Sequence, residues 1–195
     1  MTRDELYMKK ALELAEIAAE QGEVPVGAIV VKRSSGEIIG RGFNRREYGR
    51  SPLTHAELVA IEEASRNLRG WRLMGCELFV TLEPCPMCTG AIINSRIERV
   101  AFGAYDKKAG SCGSVVNLFE LPYNHKPLCT GGILQERCAD TLTEFFKNLR
   151  RKKTSPNSSG RFFLIFRFDF PKPCKASLHQ HIQALRQRVD RTPNV

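Results

Sequence analysis

Three observations place this chain in the α/β class, as a three-layer α/β/α domain with a central mixed sheet of about five strands. Short β-branched runs alternate with stretches of helical periodicity through residues 1–153, the pattern of a sheet covered by helices. Two of those runs are near enough in sequence to form a hairpin, while the others are separated by helical stretches. Two chemically distinctive motifs open helices directly after a loop or a strand end, where α/β proteins usually place their sites.

The elements follow in order. Thr2-Arg3-Asp4-Glu5 is a capping box, with Thr2 capping and Glu5 reaching back. Tyr7, Met8, Ala11, Leu12, Ala15, Ala18 and Ala19 then recur at helical spacing, and Gly22 ends the run. Val24 to Val31 is apolar and β-branched, and Gly36 to Phe43 follows a turn-rich Arg33-Ser34-Ser35-Gly36, which together predict a hairpin. Residues 44–54 read as a polar loop. A helix is expected from His55 to about Leu68, with Leu58, Ile61 and Ala64 inward.

Cys76 to Leu82 is a third strand, and Pro86 suits the first turn of a helix through about Asn94, where its missing N–H is not needed. Arg99 to Ala104 is a fourth strand, followed by Gly-rich, irregular sequence. A short helix around Ser114–Phe119, an exposed loop at Pro122–Pro127, a short strand near Leu128–Thr130 and a helix from Leu134 to about Lys152 complete the body. After Lys153 the character changes. Ser155-Pro156-Asn157-Ser158-Ser159-Gly160 is a linker by composition, and five of the eleven Phe crowd into Phe162–Phe170. Two regions result: a domain over 1–153 and a basic, Phe-rich extension over 154–195.

Bulk properties bound the partners. The acidic start, Asp4-Glu5, lacks the basic flank and apolar run of a signal peptide, and no stretch approaches the ~20 apolar residues of a membrane span. A cytoplasmic protein is expected. Seven irregularly spaced cysteines do not form a secreted disulfide framework. Cys76, Cys112, Cys129, Cys138 and Cys174 read as free thiols, mostly buried. The net charge of +9 is concentrated at one end: residues 147–195 carry twelve Lys/Arg against two Asp, leaving the body near neutrality. Such an end suits phosphates or an anionic surface, and equally a solvated tail.

The chemistry lies in His55-Ala56-Glu57 and Pro84-Cys85-Pro86-Met87-Cys88. One imidazole and two thiolates suit a zinc ion that keeps a fourth position open for water, and the carboxylate suits a proton shuttle beside it. With Cys85 as N-cap and Cys88 as the third helical residue, both sulfurs sit at the positive end of a helix dipole, which favours thiolates. A lone C-x-x-C would also fit a thioredoxin-like dithiol. His55 alone could be an ordinary hydrogen-bonded histidine, and Thr54-His55-Ala56-Glu57 is also a capping box. Residues two apart on a helix point ~200° apart, so His55 and Glu57 share a site only if the first turn faces the pocket end-on. Together, H-x-E and P-C-x-x-C form the signature of zinc nucleobase deaminases.

Beyond these motifs, Glu23-Val24-Pro25-Val26-Gly27-Ala28, Gly42-Phe43-Asn44-Arg45, Val80-Thr81-Leu82-Glu83-Pro84-Cys85, Cys88-Thr89-Gly90-Ala91-Ile92, Ser95-Arg96-Ile97, Phe102-Gly103-Ala104, Asn124-His125 and Phe145-Phe146 carry a resemblance over about residues 3–153. The chain resembles the bacterial tRNA-specific adenosine deaminases of the cytidine/deoxycytidylate deaminase superfamily. The resemblance implies a cytidine-deaminase-like fold, one Zn2+ per subunit held by His55, Cys85 and Cys88, and Glu57 as the catalytic proton shuttle. It implies that Asn44 binds the flipped adenine, that Asp106, Asn124 and His125 touch neighbouring nucleotides of a tRNA anticodon stem-loop, and that Phe146 and Arg150 pack against and pair with the RNA. It further implies a homodimer that converts the wobble adenosine, in arginine tRNA, to inosine. The residues themselves leave three other readings open: a deaminase of a free base or nucleoside, a non-catalytic zinc-stabilised RNA-binding module, and a dithiol oxidoreductase.

Overall fold

The computed structural model describes residues 1–154, and Met1–Arg151 pack as one compact unit. Helix α1 (Arg3–Glu20) opens with the expected box. The Thr2 hydroxyl accepts the Glu5 amide at 3.2 Å, and the Glu5 carboxylate accepts the Thr2 amide at 2.8 Å. Gly22, at φ +78°, closes the helix in the left-handed conformation that favours glycine.

The hairpin is present with trimmed strands. Strand β1 (Gly27–Lys32) begins three residues late because Val24–Val26 form a tight turn, closed by the Val26 amide on the Val24 carbonyl at 2.8 Å. Pro25, at the centre of that turn, has no N–H to give to a sheet. Strand β2 (Ile38–Phe43) begins after Gly36, whose φ of +70° belongs to the turn. The expected polar loop at 44–54 contains a one-turn helix α2 (Arg46–Gly49), too short to leave a periodic signal. Helix α3 (Ala56–Asn67), strand β3 (Cys76–Leu82), helix α4 (Pro86–Ser95) and strand β4 (Arg99–Ala104) follow. The expected helix at 114–119 is a 3₁₀ turn at Leu118–Glu120, opened by the Asn117 side chain accepting the Phe119 amide. Strand β5 (Leu128–Thr130) and helix α5 (Gln135–Thr154) complete the described chain.

The sheet runs β2-β1-β3-β4-β5. Strand β1 is antiparallel to both β2 and β3, while β3–β4 and β4–β5 are parallel, so the sheet is mixed as expected. Alternation sorts its two faces. Ile29, Val31, Phe79 and Ala101 face α1 with Tyr7 and Leu14, whereas Ala28, Val30, Leu78, Val80, Val100 and Phe102 share the larger core with α3 and α4 residues.

The inward face of α3 includes Ala64 as expected, with Ile61 packed against the core, but the seam itself is made of alanines. Ala56, Ala60 and Ala64 are buried, and Leu58 and Ile61 are only partly covered. Glycines in β2 are the cause: a Cβ on Gly40 would lie 2.2 Å from the Ala60 carbonyl oxygen, and one on Gly42 2.1 Å from that of Ala56. The helix backbone rests directly on the strand, and only alanines fit the seam. Among the cysteines, Cys76, Cys112 and Cys138 are buried and Cys129 is exposed, while Cys174 lies outside the described residues. Cys129 is uncovered because β5 is the edge strand of the sheet.

Candidate active site

Two helix N-termini meet at one end of the sheet. Helix α4 leaves β3 through Glu83-Pro84 and takes Cys85 as its N-cap (φ −74°, ψ 172°), with Pro86 in its first turn. Cys88 is then the third helical residue. Helix α3 takes His55 as its N-cap (φ −74°, ψ 151°), which puts Glu57 in its first turn. The end-on presentation that the sequence required is therefore met.

His55 Nδ1 lies 3.7 Å from Cys85 Sγ and 3.5 Å from Cys88 Sγ, and the three candidate ligand atoms lie within 4.8 Å of one another. A tetrahedral zinc with ordinary bond lengths places a nitrogen and a sulfur ligand about 3.6 Å apart. The donor set and its spacing fit that ion, and three protein ligands leave one position open.

The groups of the site shift one another's titration. Hydrogen bonds from Cys88 and His55 pull the Cys85 thiol down to about 4, against the opposing effect of burial. Its hydrogen bond to Cys85, together with burial, pushes the Cys88 thiol up. The bond to Cys85 also raises His55. Burial pushes Glu57 up to about 7, with the nearby His55 working in the opposite direction. Glu57 is 4% exposed.

A capping box at Thr54–Glu57 does not form. The Thr54 hydroxyl donates to the Ser51 carbonyl at 3.0 Å, and the first amide of α3, that of Ala56, is instead received by Asn44 Oδ1 at 3.0 Å. Glu57 is left for other work. Asn44 is itself buried, and since its oxygen faces Ala56, the amide nitrogen is the group it can offer elsewhere.

Two buried carboxylates with no role foreseen from sequence hold the surrounding loops. Glu23 Oε1 accepts the Tyr48 amide at 2.8 Å, fastening α2 to the end of α1. Glu83 accepts from Asp106, Cys112 and Ser114 in the segment after β4. Their only sequence signal is a carboxylate beside a strand: Glu23 before the turn into β1, Glu83 between apolar β3 and Pro84-Cys85.

The structure thus brings together His55, Glu57, Cys85, Cys88 and Asn44, and ties the Asp106 backbone to the residue preceding Pro84. Asn124 and His125 belong elsewhere. Asn124 Oδ1 accepts from Arg96 at 2.8 Å, and His125 Nε2 lies 2.6 Å from the Ile97 carbonyl oxygen. Both therefore sit by the C-terminal end of α4, which is about 15 Å long. Phe146 stands on α5, partly exposed and edge-on to Phe145 at 5.4 Å, and Arg150 is exposed one turn further on.

Residues 1–104 match the family described as the cytidine and deoxycytidylate deaminase zinc-binding region. The chain is 50% identical over 154 residues to the tRNA-specific adenosine deaminase of Bacillus subtilis (strain 168), covering 78% of this chain and 94% of that protein. It is 50% identical over 147 residues to the enzyme of the same name from Aquifex aeolicus (strain VF5), covering 75% and 95%. A solved structure from a study of A-to-I editing by tRNA:A34 deaminases superimposes with a TM-score of 0.67 at 39% identity, over 70% of this chain and 99% of that one. A guanine deaminase from Nitrosomonas europaea superimposes with a TM-score of 0.61 at 27% identity, over 72% and 83%. With its paired helix N-termini and its zinc-fitting donor set, the chain belongs to the cytidine and deoxycytidylate deaminase zinc-binding family and, within it, to the tRNA-specific adenosine deaminases.

Proposed function

We propose that this protein is a zinc-dependent hydrolase that converts the wobble adenosine of a tRNA anticodon, that of an arginine tRNA, to inosine with release of ammonia. The observation that carries the reading is the His55, Cys85 and Cys88 spacing with buried Glu57 in the first turn of the helix that His55 caps, in a chain whose relatives are named for this reaction. His55, Cys85 and Cys88 are the zinc ligands in this reading. Bound there, zinc supplies Lewis acidity that lowers the pKa of a ligated water towards ~7.

Glu57 moves the protons. As a carboxylate it takes one proton from the attacking water and passes it to the adenine ring nitrogen. It then takes the second proton from the newly added hydroxyl and delivers it to the amino group, which leaves as ammonia while the carbonyl forms. Burial works to raise the Glu57 carboxyl, and a shuttle passes protons both ways most readily when its pKa lies near the working pH. The Asn44 amide nitrogen, fixed in orientation by the Ala56 contact, donates to the base. An anticodon-loop base is already weakly stacked, so drawing it into the pocket is comparatively cheap. Asp106 contacts the flanking nucleotides near the pocket, and Asn124 and His125 do so further along α4. Phe146 and Arg150 meet the RNA on α5. The working form is a homodimer in the cytoplasm, with the deaminase domain in residues 1–153 and an appended extension beyond it.

The test is a competition among substrates. Purified protein is incubated with an arginine tRNA bearing adenosine at the wobble position and, separately, with adenosine, guanine and cytosine. Inosine in the tRNA and none from the free compounds is expected. The guanine deaminase likeness makes the other outcome concrete: ammonia from free guanine with untouched tRNA overturns the proposal.

A further inference from the structure

Glu83 is a fully buried carboxylate, 2% exposed, on which four donors from one loop converge. Its Oε1 accepts the amides of Cys112 and Ser114, both at 3.0 Å. Its Oε2 accepts the Asp106 amide at 3.1 Å and the Ser114 hydroxyl. The backbone on either side adds to the seam: the Glu83 amide donates to Ala104 and the Ser111 amide to Pro84, each at 2.9 Å. Gly110 completes the cradle, because a Cβ there would stand 2.3 Å from Oε2.

A side chain with two acceptor oxygens suits this arrangement. All four partners are donors, and a carboxamide would turn its own N–H groups onto some of them. Burying four donors around one acceptor group is costly if that group is lost. The carboxylate is also placed with purpose. It is two residues from Cys85, so its other end is the start of α4, and it fixes the amide of Asp106 itself.

We propose that Glu83 is a positioning residue that locks the 105–114 loop to the thiolate-bearing start of α4, so that Asp106 is held at a fixed place beside the pocket for the RNA. The part concerning RNA rests on the function proposed above; the part concerning the loop does not. Glu83 acts through the loop and through no direct contact with substrate.

The experiment compares full-length wild type with Glu83→Gln and Ser114→Ala. Ser114→Ala removes one hydroxyl donor and leaves the carboxylate with its three amides, so it keeps a folded reference if Glu83→Gln is poorly soluble. Hydrogen exchange at 105–116, zinc content, and kcat and KM on an anticodon stem-loop are measured. In Glu83→Gln, exchange at the Asp106, Cys112 and Ser114 amides accelerates while α1 is unchanged, and zinc content stays at the wild-type level. KM for the RNA rises about tenfold with kcat within about twofold, since donors left unpaired loosen a binding loop and not the reacting atoms. Ser114→Ala moves in the same direction by less. Unchanged exchange in both variants overturns the proposal. So does loss of zinc with unchanged exchange, which would make Glu83 a support of the ligands alone. If the wild type fails to turn over RNA while exchange responds as expected, the loop assignment stands and the functional reading falls.

Discussion

Asn44 Oδ1 receives the first amide of the helix that carries His55 and Glu57, at 3.0 Å from Ala56 N. One side chain thus caps α3 and leaves its nitrogen as a donor, so stability and the substrate contact proposed for Asn44 are separable at one position. Asn44→Asp keeps an acceptor for the Ala56 amide and loses the donor. Its melting temperature should stay near wild type while kcat/KM on tRNA falls by about 10- to 100-fold, the usual cost of one missing hydrogen bond in a buried site. Asn44→Ala should lose both, with about 1 kcal/mol of stability gone with the cap. Thermal melts alongside steady-state kinetics check both variants.

Glu57→Gln should retain zinc and lose turnover. Proton transfer by a positioned group contributes about 10²–10⁴-fold, so ammonia release should drop by that factor or more, with metal analysis unchanged. Normal turnover by this variant would assign the proton transfer to another group.

Removing the metal should abolish activity and restoring zinc should return it. Thiolates and neutral imidazole are the binding forms, so binding expels protons and apparent affinity weakens as pH falls. Chelator competition at pH 6 and pH 8 should show tighter zinc at pH 8. Cys88→Ala should fail to retain zinc at either pH.

The opposite pole of the sheet offers a pH-dependent contribution to stability. A bidentate hydrogen bond from Arg99, with Oδ1 at 3.0 Å and Oδ2 at 2.5 Å, holds the Asp4 carboxyl below its ordinary value. A depressed acid contributes stability above its unfolded pKa and loses it as pH falls through the folded one. Asp4→Asn should therefore lower the urea midpoint at pH 7 and converge with wild type in strongly acid solution. Equal midpoints at pH 7 would mean the pair contributes nothing net.

Gly42→Ala tests the seam between β2 and α3. Its Cβ would meet the Ala56 carbonyl oxygen at 2.1 Å and the Ala60 amide at 2.6 Å, both backbone atoms that cannot swing aside. A loss of about 1–3 kcal/mol is expected from overpacking. Zinc affinity should weaken as well, because the start of the displaced helix carries His55.

Strands β3, β4 and β5 were legible to the residue, because β-branched runs bounded by breakers have one reading. The placement of Cys85 as an N-cap was legible for the same local reason: Pro86 belongs in a first helical turn. The inward face of α3 was legible only in part. Periodicity favoured Leu58, Ile61 and Ala64, of which Ala64 is buried and Ile61 packs against the core. The alanine seam was decided by glycines fourteen or more residues away on another element. Glu83 was invisible for a related reason. Its partners lie 23 to 31 residues along the chain, so nothing near it in sequence announces that four donors need a carboxylate. The substrate contact proposed for Asn44 comes from resemblance, while its duty as the cap of α3 needed the fold.

The two N-caps carry a further consequence. His55 and Cys85 occupy the positions where helices most favour Ser, Thr, Asp or Asn. An oxygen at either place would strengthen its helix by about 1 kcal/mol and remove a ligand. Selection for the robustness of the metal-free fold alone would therefore erase this centre. Heat-resistance screens run in excess chelator, without scoring turnover, should recover Cys85→Ser among their winners, as hardened but inert proteins.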